Sequence, residues 1–100
     1  MMRFDSIHNY YETLVVRELI QTFVEDIRDM DEDYLQDIVC IALNMLPSRY
    51  VRHDVDMAFF LTTNERIEMD KAVADAVIKA KKHVDEQYDE DDGANRANTF

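Results

Sequence analysis

The stretch Tyr34–Pro47 reads YLQDIVCIALNMLP and has only three polar residues before its proline, Gln36, Asp37 and Asn44. A helix that is apolar on so many sides is typical of an element buried from several directions. Asp37 and Asn44 fall on one side of such a helix, because seven residues make about two turns. Pro47 lacks a backbone donor and disfavours helical geometry in the residue before it. The stretch therefore predicts a central buried helix that ends at the proline.

Length and composition bound the fold class. One hundred residues form one domain with a modest core. The chain has one glycine and one proline, which favours long helices over a many-stranded sheet. No apolar run approaches the roughly 20 residues that span a bilayer, and the N-terminus lacks the layout of a secretory signal. We expect an all-α protein of the cytoplasm.

The net charge of the chain is −11. Such a charge repels DNA, RNA and anionic membranes, so we expect neither a nucleic acid polymer nor a membrane as partner. Residues 85–100 hold six carboxylates against Arg96 alone. An acidic stretch with so few apolar residues is typical of disorder. We predict a folded domain over residues 1–88 and a disordered acidic tail over residues 89–100.

The first helix is predicted to begin at Asn9 and to run to about Arg28. Asparagine is a preferred N-cap, and Glu12 has the spacing of a capping box. The second half of this helix carries one apolar stripe, which we expect to face the core: Val16, Leu19, Ile20, Phe23 and Ile27, with Val24 on its edge.

The first half of the same helix is apolar around most of its axis, and one core face cannot use all of these side chains. The excess predicts a second buried surface, most simply a twofold dimer. The predicted interface consists of Tyr10, Tyr11, Leu14 and Val15, together with the apolar part of residues 50–61. The alternative is that the central loop, or Phe4 and Ile7, cover this surface within one chain.

The rest of the chain predicts an irregular segment and a further helix. The apolar residues Val55–Leu61 are compatible with a short, half-buried extended segment that pairs with its symmetry mate. The next helix opens at Thr62 or Thr63, and Glu65 completes a capping box. Its predicted core stripe consists of Met69, Val73, Ala76, Val77, Ala80 and Val84. The fold is therefore predicted as three main helices with an irregular or extended link between the second and third.

Sites for catalysis or metal binding are not apparent in the sequence. The only glycine lies in the tail, so a phosphate-cradling loop is absent, and His8, His53 and His83 lack a metal-ligand spacing. The acidic turn Asp29–Asp33 does not match a calcium loop and is interpreted as favourable charge at a helix start. Cys40 lies in the most apolar stretch, where we expect a buried and inert thiol. We predict no enzyme and no metal, with a metal-binding regulator as the weakest alternative.

The segment Arg49–Asp54, RYVRHD, follows the central helix directly. Arginine offers a fork of donors for phosphate oxygens or for the O6 and N7 edge of guanine. Tyrosine offers a flat face for stacking, and a carboxylate such as Asp54 or Asp56 can accept from a guanine N1 or N2 donor. The alternative is that Arg49 and Arg52 pair with nearby carboxylates. Composition leaves both interpretations open.

Two motifs resemble those of the ComFB family of late competence development proteins. The specific motif is ALN-x-LP-x-RY at Ala42–Tyr50, and N-x-x-E-x-LV at Asn9–Val15 supports it. The resemblance spans about residues 7–84 and implies a small helical dimer. It also implies that the chain is a candidate receptor for cyclic dinucleotides, cyclic di-GMP in particular, which acts by binding partner proteins. Other members hold zinc with cysteines between the first two helices, where this chain has Asp29–Asp33, so no zinc is expected.

These observations predict a non-enzymatic cytoplasmic receptor or adaptor that binds cyclic di-GMP and acts on an unidentified regulatory protein. In the predicted site Arg49 and Arg52 contact phosphates or guanine edges, Tyr50 stacks on the base, and no cofactor is required. The whole predicted site consists of Asn44, Arg49, Tyr50, Arg52, His53 and Asp54, with Asn44 orienting the loop. The alternative function is a ligand-free dimeric interaction module of competence or motility regulation, whose dimer surface or tail recruits a partner.

Overall fold

The computed structural model describes residues 3–91 of the chain. Its elements in chain order are β1 (His8–Asn9), α1 (Tyr10–Thr22), a 3-10 turn (Ile27–Asp29), α2 (Glu32–Met45), β2 (Tyr50–Val51), α3 (Val55–Phe60) and α4 (Thr63–Asp91). Helices α1, α2 and α4 pack together around one core. The predicted all-α class is confirmed, with a fourth, short helix that the sequence did not indicate.

Helix α1 begins where the sequence predicted and ends earlier. Asn9 is its N-cap, and the Asn9 side chain accepts a hydrogen bond of 3.2 Å from the backbone N–H of Tyr11. The helix ends at Thr22, well before the predicted Arg28. No proline or glycine marks this end. Phe23 packs partly buried against the core instead, and the turn after it leads the chain back into α2.

The core face of α1 is rotated relative to the prediction. The buried side chains of this helix are at most 6% exposed: Tyr11, Leu14, Val15 and Leu19. Three residues that were expected in the core are exposed instead: Val16 (43%), Ile20 (47%) and Val24 (63%). The predicted dimer interface is therefore corrected, because Tyr11, Leu14 and Val15 belong to the core of one chain and Tyr10 packs partly buried against it. Apolar residues all around the first two turns had left the orientation of this helix ambiguous.

Helix α2 ends as predicted and packs against both α1 and α4, while part of its surface is exposed. Its last residue is Met45, and Leu46 caps it directly before Pro47. Its buried residues are Ile38, Ile41 and Ala42. Cys40 is exposed, because it points away from the side that carries Ile38 and Ala42. The expectation of a core cysteine is therefore wrong.

The segment between α2 and α4 contains a strand and a helix. Strand β2 pairs antiparallel with β1, with His8 opposite Val51 and Asn9 opposite Tyr50. Residues Val55–Phe60 form helix α3, so the predicted extended segment is corrected. Helical geometry lets this short apolar run bury Met57, which is 3% exposed. Phe59 and Phe60 remain 80% and 74% exposed.

Helix α4 confirms its predicted start and core stripe. The backbone N–H of Glu65 donates to Thr62 Oγ1, and this hydroxyl donates to Glu65 Oε1, each at 3.1 Å. Five stripe residues are buried and Met69 is partly buried; the five are Val73, Ala76, Val77, Ala80 and Val84. The helix runs to Asp91. Residues 89–91 of the predicted tail continue α4. For residues 92–100, which lie outside the described range, the predicted disorder stays a prediction.

Polar contacts join the N-terminal half of α2 to the C-terminal half of α4. Tyr34 Oη donates to Asp85, and Tyr88 Oη donates to Asp37 at 2.9 Å. Lys81 Nζ lies 2.7 Å from Asp85 Oδ2, which raises the pKa of the lysine. Burial, reinforced by the hydrogen bond to Asp85, raises the pKa of Tyr34. At this end of the bundle, hydrogen bonds between polar side chains therefore connect α2 and α4.

Candidate functional site

The segment Arg49–Asp54 is exposed and is held at its start by backbone contacts. Asn9 Oδ1 accepts a hydrogen bond from the backbone N–H of Arg49 at 2.9 Å. The Arg49 carbonyl in turn accepts from the N–H of Tyr10 at 2.7 Å. Asn9 therefore caps α1 and fixes Arg49 with the same side-chain oxygen. Through this oxygen the two sequence motifs, distant along the chain, meet in space.

Asp54 holds the other end of the segment. Its Oδ1 lies 2.5 Å from His8 Nε2, and its Oδ2 accepts from Thr13 Oγ1 at 3.2 Å. The hydrogen bond from His8 lowers the pKa of Asp54, and the same contact, with a second bond to the Ser6 carbonyl, raises the pKa of His8. The Asp54 carboxylate therefore has partners within the chain, unlike the free acceptor that the sequence predicted.

The side chains of Arg49 and Arg52 form no ion pair within the part of the chain that the structure describes. Two candidate carboxylates are engaged elsewhere, Asp54 with His8 and Asp37 with Tyr88. Asp56, the third, forms no ion pair with either arginine in the described part of the chain. The alternative in which these arginines pair with neighbouring carboxylates is therefore not the arrangement of this structure. Both guanidinium groups are open to a ligand.

Three further predicted residues are exposed around this segment. The Tyr50 ring is 68% exposed, so its face is open for stacking. His53 and Asn44 are also exposed. Within residues 3–91 Asn44 forms no hydrogen bond with the Arg49–Asp54 segment. Its predicted role in orienting the loop is performed by Asn9 instead.

Two cavities adjoin each other along the first half of α4. The first, here called the α1–α4 groove, has a volume of about 540 Å³ and lies between α1, α3 and α4. The second, here called the Arg49 cavity, has a volume of about 300 Å³ and lies between the loop after α2 and α4. Met69 lines both cavities. Of the predicted site residues, Asp54 lines the groove and Arg49 lines the second cavity.

The α1–α4 groove contains two arginines that the sequence analysis missed. Arg17 from α1 and Arg66 from α4 both line it, above an apolar floor that includes Leu61 and Val73. Neither guanidinium is ion-paired to a carboxylate of the described chain. Glu18 and Asp70 also line the groove, so its rim carries both charges. The two arginines are far apart in sequence, and only the packing of α1 on α4 brings them to one groove.

Other candidate chemistry is limited in the described range. Among the side chains that the structure describes, within residues 3–88, no group of three or more His, Cys, Asp or Glu could hold a metal ion. Two lysines of α4 are engaged, Lys79 with Asp75 at 2.9 Å and Lys81 with Asp85. A helix with the length and apolar character to cross a membrane is also absent from the described residues.

Comparison with known proteins identifies one family. Residues 8–88 match the family model of the late competence development protein ComFB. No curated protein matches the chain, and no solved structure matches it. The matched range begins in β1 and ends in α4, so it includes every residue that lines the two cavities.

Proposed function

We propose that this chain, which belongs to the ComFB family, is a non-enzymatic cytoplasmic receptor that binds cyclic di-GMP and signals through protein–protein contacts. One observation supports the ligand above all. Three arginines without an ion-pair partner in the described chain line two adjoining cavities: Arg17, Arg49 and Arg66.

The chemistry of cyclic di-GMP fits these two cavities. Its two phosphates are acceptors for the planar donor fork of arginine, which binds them in bidentate fashion. Its two guanines present acceptors to arginine and flat faces to apolar side chains. Cavities of about 300–1,000 Å³ with a few convergent polar groups are typical of small-molecule sites. A ligand with two bases can occupy the groove and the Arg49 cavity together, on both sides of Met69.

Calorimetric titration with cyclic di-GMP tests the receptor proposal. We expect binding, and we expect Arg66→Ala and Arg49→Ala each to weaken the affinity about tenfold or more, since each removes charge-assisted hydrogen bonds. Lys71→Ala is the matched control, because it removes one positive charge from the opposite side of α4. Lack of binding at several hundred micromolar of cyclic di-GMP contradicts the receptor proposal and leaves the ligand-free interaction module.

The second part of the proposal is a twofold homodimer. Its proposed interface is formed by exposed apolar residues of α3, of α1 and of the turn after α1: Phe59, Phe60, Val16, Ile20 and Val24. Helix α3 begins beside this face of α1, because Asp54 accepts a hydrogen bond from Thr13. The two phenylalanines expose roughly 300 Å², and a standard interface buries about 800 Å² per partner.

The same surface supports the alternative function. Exposed apolar patches of this kind mark protein interaction sites, and a ligand-free module uses them to recruit a regulatory protein. Calorimetry with cyclic di-GMP separates the two functions, since only the receptor binds the nucleotide.

A further inference from the structure

The Arg49 cavity carries opposite charges on its two walls. Arg49 lies on the wall formed by the loop after α2, with Pro47 and Ser48. Glu65 and Glu68 lie on the wall formed by α4. No ion pair connects the walls within the described residues. The cavity therefore offers donors on one wall and carboxylate acceptors on the other.

Only one of the two glutamates has both carboxylate oxygens without a partner among the described residues. Glu65 Oε1 accepts from Thr62 Oγ1, and this bond belongs to the cap of α4. The carboxylate of Glu68 has no hydrogen bond or ion pair within residues 3–91. Asp54, the carboxylate that the sequence assigned to a guanine, is held by His8 and Thr13. Glu68 is therefore the carboxylate beside Arg49 whose two oxygens are both available to a ligand.

A ligand that satisfies both walls must present acceptors and donors on neighbouring edges of one rigid group. Guanine does so, because O6 and N7 accept while N1–H and the N2 amino group donate. Adenine has no donor at N1, and hypoxanthine lacks the N2 amino group. A carboxylate accepts from N1–H and N2–H together, which gives Glu68 two bonds with guanine and one with hypoxanthine.

We propose that Glu68 determines base specificity by accepting from N1–H and N2–H of a guanine whose O6 and N7 face Arg49. This inference rests on the proposed function and assigns the selectivity of that site to one residue. Whether Glu68→Ala weakens or strengthens nucleotide binding separates this role from mere proximity of Glu68 to the ligand. A carboxylate near a ligand with two negative phosphates weakens binding by repulsion unless it faces a donor, so its removal strengthens binding if Glu68 is merely close to the ligand.

The experiment is calorimetry of the wild type and Glu68→Ala with three probes: cyclic di-GMP, cyclic di-IMP and cyclic di-AMP. For the wild type we expect cyclic di-IMP to bind about tenfold more weakly than cyclic di-GMP, since it lacks one bond to an ionised acceptor. Glu68→Ala is expected to weaken cyclic di-GMP by about tenfold or more, to affect cyclic di-IMP less, and to leave cyclic di-AMP unchanged or improved.

Glu25→Ala is the matched control, because it removes the same charge from an exposed turn outside both cavities. Thermal melts of both variants check that the fold is retained. If the wild type binds cyclic di-GMP and Glu68→Ala binds it equally or more tightly, the inference is wrong while the receptor proposal stands. The same holds if the variant loses all three probes equally. If the wild type binds no cyclic dinucleotide, both are wrong.

Discussion

His8 and Asp54, 46 residues apart in the chain, meet with Nε2 and Oδ1 2.5 Å apart. This contact joins the N-terminal strand β1 to the residue that precedes α3. The other ring nitrogen of His8 lies 2.9 Å from the Ser6 carbonyl, which can only accept. Because both nitrogens face acceptors, the arrangement is complete only when His8 is an imidazolium.

The His8–Asp54 contact predicts a stability that depends on pH. The pKa of His8 is raised above 6.5 by the Asp54 hydrogen bond, with the Glu12 carboxylate adding a smaller attraction. The contribution of protonated His8 to the stability of the fold is therefore complete below pH 6.5 and is lost as pH rises through the raised folded-state pKa. The pKa of Asp54 is lowered below 3.8, so its contribution is present above 3.8 and is lost as pH falls through the lowered value. We expect the largest difference in melting temperature between wild type and His8→Ala at about pH 5–6.

Asp54→Asn is the matching variant for this prediction. In the Asp54→Asn protein, His8→Ala should change the melting temperature by an amount that does not depend on pH. The double variant should lose less stability than the sum of the losses of the two single variants. The contact is partly exposed to solvent, so the effect is small and is best followed by melting temperature across a pH series. A His8→Ala difference that is constant from about pH 5 to pH 9 would contradict the imidazolium assignment.

The orientation of α1 predicts unequal effects for neighbouring substitutions. Leu14 is 5% exposed and Val16 is 43% exposed. Leu14→Ala should reduce the free energy of unfolding by about 2–5 kcal/mol, because it leaves a cavity in the core. Val16→Ala removes a partly exposed side chain and should reduce it by less than about 1 kcal/mol in the monomer. Urea unfolding at low protein concentration measures both, and equal effects would contradict the observed orientation.

The proposed dimer predicts that a charged side chain introduced into its interface dissociates the two chains. Phe60→Glu adds a charge to an exposed side chain, so it should disrupt the dimer while the helical circular dichroism signal is retained. Ile78→Glu is the control, because Ile78 is 62% exposed on α4 and lies outside the proposed interface. Sedimentation at micromolar concentration distinguishes the 11.8 kDa monomer from the dimer. A wild type that sediments only as a monomer would exclude the dimer.

Local signals in the sequence predicted the starts of α1 and α4 and the end of α2, but not the end of α1. Pro47 marks the end of α2, and the Thr62–Glu65 pair marks the start of α4, since each acts on the backbone beside it. The stripe of α4 was also predicted, because polar residues separate its apolar positions. The face of α1 was not, since its first two turns are apolar on nearly every side. Its orientation depends on where α2 and α4 pack.

Only those residues of the candidate site that lie together in the sequence were predicted. Arg49 stands in a basic segment, and its chemistry is visible from the residues themselves. Arg17 and Arg66 are isolated charges on two different helices, and only the tertiary packing brings them to one groove. The partners of Asp54 were likewise hidden, because His8 belongs to a two-residue strand whose pairing with β2 depends on a long-range contact.

Asn9 provides the last prediction, because its side-chain oxygen accepts from two backbone donors in separate motifs. These donors are the N–H of Tyr11 at 3.2 Å and the N–H of Arg49 at 2.9 Å. Asn9→Ala removes the cap of α1 and leaves the Arg49 donor without its partner, so we expect a loss of about 1–2 kcal/mol in the free energy of unfolding. Asn9→Asp keeps an acceptor oxygen at the N-terminus of a helix and should retain most of that stability. Chemical denaturation of the three proteins measures the difference. Equal losses for the two variants would show that the shared oxygen does not couple α1 to the binding segment.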